Sequence, residues 1–308
     1  MLDYVSDVPL KPTKKTFFDP PEQIDDVNLE ELVFDFRLES RESGSIQLLE
    51  AIKILGQMLQ DIIQLQQYPD LFHDFRVQIF KELKLSPNTT SLTQNDDESD
   101  SIRIEVSSQI NDEPTPNSVN HIPIGDLIAR TNLSHEAKVL HPITEPNPSR
   151  LQQDYENNHT QSPQLLKIFN LVSRPSITIE EFLLRIMTYS PSVSASSYLH
   201  SAYMLFNLSV LFDVVPLNYY NVYRLILGSI RCSTKCLEDI FQRQKSFATV
   251  GGVSLKDLLK IEVGFLYLVK FRLVIGSGIL DQFLQKQWLR LRTFCQEKIP
   301  NVDISKSN

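Results

Sequence analysis

Cysteine is scarce in this chain of 308 residues. Cys232, Cys236 and Cys295 are all there are, too few and odd in number for a closed disulfide framework, which points to a reducing compartment. Long apolar runs are also missing. The opening residues, MLDYVSDVPLKPTKKTFF, have no continuous apolar core and do not read as a secretory signal. No stretch approaches the roughly 18 apolar residues of a membrane span. The nearest, Tyr203 to Val215, is interrupted by Asn207, Ser209 and Asp213. A basic excess is lacking too: 30 Lys and Arg face 38 Asp and Glu, a formal net charge of -8. Sequence-independent nucleic-acid binding rests on neutralising phosphates with cations, so neither nucleic acid nor membrane is an expected partner. The expectation is a soluble, intracellular protein.

Catalytic signatures are absent as well. The chain has no HExxH, no GxSxG, no P-loop and no CxxC pair. Gly251-Gly252 precedes a helical pattern but no P-loop follows, so the pair reads as a turn. Cys232 and Cys236 stand four apart, yet no nearby His completes a metal site. No nucleophile is placed beside a base. The expectation is a protein with no catalytic residues, no metal and no cofactor.

What the sequence does have is helical periodicity. Residues 1–44 mix charges and prolines and read as a flexible N-terminal tail, in which Leu29 to Leu38 suits a short helix or docking arm. Residues 45–85 read as a helical extension. Ile46, Leu49, Ile52, Leu55, Leu59, Ile62 and Ile63 recur at helical spacing, followed by Leu71, Phe75, Ile79 and Leu83. Residues 86–161 read as a disordered acidic insertion, because runs such as NTTSLTQNDDESDS bury too little to offset chain entropy. A short helix is expected there near Ile124 to Arg130. Ser86-Pro87, Thr115-Pro116 and Ser162-Pro163 are the dipeptides that proline-directed kinases modify, although prolines and hydroxyls are common in any polar segment.

Residues 162–275 are dense in apolar positions and predict five consecutive helices. The first, Ile179 to Tyr189, has the capping box Thr178/Glu181 at its start. The second, Ser194 to Phe212, is apolar over most of its circumference and therefore buried. The third runs from Asn218 to about Thr234, and a short fourth from Leu237 to Gln244. The loop SFATVGGVS precedes a fifth, Leu255 to Phe271, capped by Ser254. Residues 276–308 hold a tail helix, Ile279 to Glu297, ending before Pro300. No stretch reads as a strand ladder. The fold class is all-α, a single five-helix domain with an N-terminal helical extension and a disordered insertion.

The fifth helix carries an anomaly. On a helical wheel Lys256, Lys260, Gly264 and Tyr267 share a polar arc, and Leu255, Leu258, Leu266 and Val269 the opposite, apolar arc. Glu262 falls among the apolar residues, where an unpaired carboxylate costs several kcal/mol as an order of magnitude. On the third helix Arg224, Arg231 and Lys235 form a basic stripe around Gly228. Lys235 reaches Glu262 if the two helices pack together. Two readings follow: an internal salt bridge, or a charged pair at the rim of a groove for a partner.

The stretch from Asn221 to Leu273 resembles the cyclin box of the fungal phosphate-system cyclins, the P/U-type family. The resemblance is carried by Arg224 with Leu225 and Ile226, Lys235 with Asp239, the loop Phe247 to Val253, and Leu258 to Leu266. It covers about Pro163 to Phe283. Tyr223 stands where that family usually has His, Gln244 and Phe247 where it has Asn and Tyr, and Thr249 where it has Lys. The resemblance implies a single cyclin-box five-helix domain and a cyclin-dependent protein kinase as partner. Lys235 and Glu262 would contact the kinase beside its regulatory C-helix, with Leu258, Leu266 and Val269 as apolar neighbours. It further implies Ser/Thr-Pro protein substrates, a role in phosphate response or glycogen storage, and a place in nucleus and cytoplasm. The rival reading is a helical cyclin-fold scaffold in a transcription or other complex without a kinase.

Overall fold

The computed structural model describes residues 23–85, 148–158 and 163–306. Ser86, Thr115, Ser162 and the helix expected at 124–130 lie outside the described residues. Among the described residues the regular elements are helices, and none is long and apolar enough to cross a membrane. In chain order they are α1 (Leu29–Arg37), α2 (Leu48–Leu65), α3 (Pro69–Leu83), α4 (Pro148–Asn158), α5 (Pro163–Lys167) and α6 (Ile179–Tyr189). Then come α7 (Ala195–Phe206), α8 (Val222–Leu237), α9 (Gln244–Gly251), α10 (Leu255–Leu268), α11 (Ser277–Gln282) and α12 (Leu289–Lys306). A π-helical stretch, Asn207–Leu211, extends α7, and another, Phe283–Trp288, joins α11 to α12.

The five helices α6 to α10 form the all-α domain expected from periodicity. The centre is α7, whose residues from Ser197 to Phe206 are all buried. It packs on α8, α2 lies along its other side, and α10 lies along α8. The polar residues of so buried a helix need internal partners. His200 Nε2 lies 2.6 Å from the Leu273 carbonyl, which only an N–H can satisfy, so Nδ1 accepts from the Ser233 hydroxyl at 2.7 Å. Burial pushes this imidazole down to about 4, so it stays neutral and structural. The start signals behave as expected: Glu181 N–H donates to Thr178 Oγ1 at 3.1 Å, and Asp257 N–H to Ser254 Oγ at 3.0 Å.

Several boundaries move. Residues 238–243 are not helical, and the fourth helix is Gln244–Gly251 instead of Leu237 to Gln244. The glycine pair ends that helix: Gly252, at φ 66°, is its left-handed C-cap. The fifth helix stops at Leu268, with Lys270 and Phe271 at positive φ just beyond it. The tail helix starts at Ser277 and runs past Pro300.

Two expectations for whole segments are corrected. Residues 23–44, expected as part of a flexible tail, are docked. Leu32, Val33 and Phe36 are buried, Phe36 meets Trp288 edge-on at 5.7 Å, and Arg41 Nη2 bonds Glu50 Oε2 at 2.8 Å. The amphipathic pattern at Leu29 to Leu38 is short but finds a ready apolar face on the C-terminal helices. The acidic insertion, expected as disordered over 86–161, contains α4. Its Tyr155 packs on Phe80 at 5.3 Å and its Asp154 pairs with Arg272. Tertiary partners order a segment whose own composition does not.

Candidate functional site

Gly228 sets the geometry of the site. A Cβ there would stand 3.0 Å from Phe265 Cβ and 3.2 Å from Ile261 Cγ2, so its absence lets α8 and α10 approach closely. Two turns further along α8, Lys235 arrives over Glu262 of α10, and their side chains form an ion pair. Gln244 Nε2, at the start of α9, donates to the other carboxylate oxygen at 3.1 Å. Arg231 Nε lies 3.9 Å from that same oxygen.

Arg231 is fixed independently. Its Nη1 donates to the Gln242 carbonyl at 2.7 Å and its Nη2 to Gln244 Oε1 at 2.9 Å. The guanidinium also lies 5.1 Å from the ring centre of Phe247 and 5.4 Å from that of Phe241. Arg231 and Glu262 are buried, at 2% and 7% exposure, whereas the Lys235 side chain is 34% exposed. One carboxylate therefore sits between two cations and an amide, and the excess positive charge opens to solvent at Lys235.

The buried arc of α10 is rotated from the one read on the wheel. Leu258, Ile261, Phe265 and Leu268 are its fully buried members. Gly264, assigned to the polar arc, packs under Ile168 and Phe169, and Lys260 is buried as well. Helix α5 and the turn after it cover a face that composition marks as polar. Glu262 accordingly lies at the edge of the buried arc, not in its middle.

Apolar side chains flank this edge. On α10, Leu259 and Leu266 lie three before and four after Glu262; Leu259 is exposed and Leu266 half-buried. Across the ion pair, the end of α8 exposes Leu237 and the α8–α9 loop exposes Ile240 and Phe241, with Ile240 at 79%. The Lys235 ammonium lies 5.9 Å from the Phe241 ring centre. This loop is held from both ends. Glu238 accepts hydrogen bonds from Ser194 and Ser197 at the start of α7, and Gln242 Nε2 donates to the Tyr189 carbonyl at 3.0 Å.

Of the residues singled out by sequence, the structure brings Lys235 and Glu262 together with Leu266 beside them. Leu258 is removed from the surface: it is fully buried, since its position on the wheel points it into the domain. Val269 is also buried, at 7%, and faces a cavity with Asp154 and Arg272 at the far end of α10. Arg231, Gln244, Leu259, Ile240 and Phe241 were missed as site residues. The i−3 spacing of Leu259 from Glu262 was a usable signal; the loop residues had none, because a helix was expected there.

Among the described residues no cluster of His, Cys, Asp and Glu could hold a metal ion. Burial pushes the Cys232 thiol up, and its Sγ lies 3.7 Å from the Glu262 carbonyl. It is a packed, inert thiol.

Comparison with known proteins gives a consistent result. The sequence model of the cyclin family matches residues 79–273. Cyclin-U4-1 of Arabidopsis thaliana is 31% identical over 148 residues, 46% of this chain and 71% of its own length. The PHO85 cyclin-like protein psl1 of Schizosaccharomyces pombe is 26% identical over 187 residues, 57% of this chain and 75% of its own. PHO85 cyclin-7 of Saccharomyces cerevisiae is 27% identical over 135 residues, 37% of this chain and 45% of its own.

Proposed function

The chain belongs to the cyclin family, and from that premise we propose that it is the non-catalytic regulatory subunit of a cyclin-dependent serine/threonine protein kinase. The observation that carries the proposal is the Lys235–Glu262 pair at a rim, braced by Arg231 and Gln244 and flanked by exposed apolar side chains. A purely internal bridge would not leave Ile240, Phe241 and Leu259 open beside it. A helix that lays apolar residues on Leu259, Leu266 and Phe241 finds Lys235 ready for a carboxylate or carbonyl of its own.

Protein kinases act when their catalytic Lys–Glu pair is completed by inward placement of the C-helix. The subunit contributes no reacting group. It binds the inward arrangement more tightly than the outward one and shifts the population accordingly. Two relatives bear names that make them PHO85 cyclins or like them. Those names support a kinase like the one they name. The resemblance to phosphate-system cyclins, not the names, is what extends the proposal to Ser/Thr-Pro proteins in nucleus and cytoplasm and to a role in phosphate response or glycogen storage. Ser86, Thr115 and Ser162 are then candidate sites for modification by the bound kinase.

Affinity purification of the chain, with identification and assay of the kinase that accompanies it, tests the reading. A stoichiometric proline-directed kinase is expected with the unmodified chain, and substantially less of it with the Lys235→Ala variant. A folded chain that retains no kinase overturns it and favours the scaffold.

A further inference from the structure

Helix α4 sits in a groove at the opposite end of α10 from Ser254. The groove is walled by Tyr203, Met204 and Leu208 on one side and by Val269, Arg272 and Ile275 on the other. Its occupant fits it poorly. Of the residues from Leu151 to Glu156, only Asp154 and Tyr155 are buried, in contrast to the continuous burial of α7. A cavity of about 40 Å³ remains beneath α4, larger than the roughly 10–15 Å³ that one water needs. Asn207, 6% exposed and lining that cavity, has an Oδ1 without a hydrogen-bond partner. Two contacts fix the helix in register: Asp154 on Arg272, and the Tyr155 ring on Phe80.

We infer that this groove is a docking site for a short amphipathic helix bearing a carboxylate beside an aromatic residue, and that α4 occupies it in cis as a displaceable stand-in. The chemistry of the site is that of a ligand pocket: an apolar trough, one cation at the rim and one buried acceptor awaiting a donor. A covalently attached helix need not fit well. Only four residues, 159–162, separate α4 from α5, and such a short connection gives an effective concentration of about millimolar. A free helix that fills the cavity and donates to Asn207 competes against that concentration by its better fit. The inference does not depend on the kinase reading, since the groove lies at the far end of α10, from Val269 onward, and shares no residue with the Lys235–Glu262 face.

Two measurements test it. In the unmodified chain, hydrogen exchange should show the amides of Asp154 to Asn158 exchanging at least a hundredfold faster than those of α7 and α8. Equal protection would make α4 part of the core and overturn the inference. The second uses a full-length Leu151→Asp/Tyr155→Asp variant, which releases α4 and leaves the groove intact, and a fluorescent peptide of residues 147–160. The peptide should bind this variant saturably, at least tenfold more weakly to the unmodified chain, and not at all once Arg272→Glu is added. Absence of binding to a variant whose other helices remain folded, or equal binding to both chains, refutes the docking site.

Discussion

Four carboxylates are buried among the described residues, and two of them, Glu262 and Asp61, are held differently. Glu262 lies at the edge of α10 with two cations and an amide around it, one of the cations one-third exposed. Asp61, on α2, is sealed under α12 and meets one cation, Arg292, at 3.0 Å, and the Gln57 amide at 2.8 Å. Burial outweighs both of those partners and raises the Asp61 carboxyl to about 6. The contrast separates two uses of the same chemistry. A carboxylate with surplus positive charge and an open side can serve a partner; one with a single counter-charge and no open side can only serve the fold.

Breaking the sealed pair should have the largest effect. Arg292→Ala leaves Asp61 without its cation and should cost ~3 kcal/mol of stability in urea unfolding. Affinity of the folded fraction for the kinase should not change; a matching fall in affinity would erase the distinction between the two carboxylates. Next in size is Lys235→Ala. Loss of one charge-assisted bond should weaken kinase binding by roughly 1.5–3 kcal/mol, about tenfold to a hundredfold, with stability falling by less than about 1 kcal/mol because the ammonium is partly solvated. A collapsed melting temperature with intact affinity would move the pair to the structural class.

The pH dependence sharpens the comparison further. Asp61 holds its proton more tightly folded than unfolded, about 6 against 3.8. Its contribution to stability is therefore complete below pH 3.8 and is lost as pH rises through 6. Asp61→Asn should flatten the stability profile between those limits, by about 1–3 kcal/mol across the window. An unchanged profile would show that the carboxyl is not the titrating group. The smallest effect belongs to Ile240→Ser, which removes the most exposed apolar side chain of the α8–α9 loop. Kinase binding should weaken by about 1 kcal/mol with the melting temperature unmoved.

Much of this was legible in the sequence, for reasons that differ by residue. The helices α2, α6, α7, α8 and α10 declare themselves because their burial is large and their periodicity long. The anomalous Glu262 and the basic stripe of α8 were visible on helical wheels, and the Gly228 between them marks the close approach that joins them. The α8–α9 loop was not legible: LEDIFQ has helical composition, and what keeps it extended is Glu238 on Ser194 and Ser197, more than forty residues away. Leu258 was misplaced because a wheel gives relative angles, not the direction of the neighbouring helices. The docking of residues 23–44 and of α4 depends on faces that appear only after the rest has folded.

The Asp61–Arg292 contact joins residues 231 positions apart in the chain. At a synthesis rate of roughly 5–20 residues per second, Arg292 is made on the order of 10–50 s after Asp61. During that interval the face of α2 that carries Asp61 and packs under α12 has no partner, and the carboxylate stays in water, ionised at no cost. That face is closed only when α12 arrives with the cation, so a ribosome-stalled or prematurely terminated chain should leave it open to chaperones even where α2 has docked on α7.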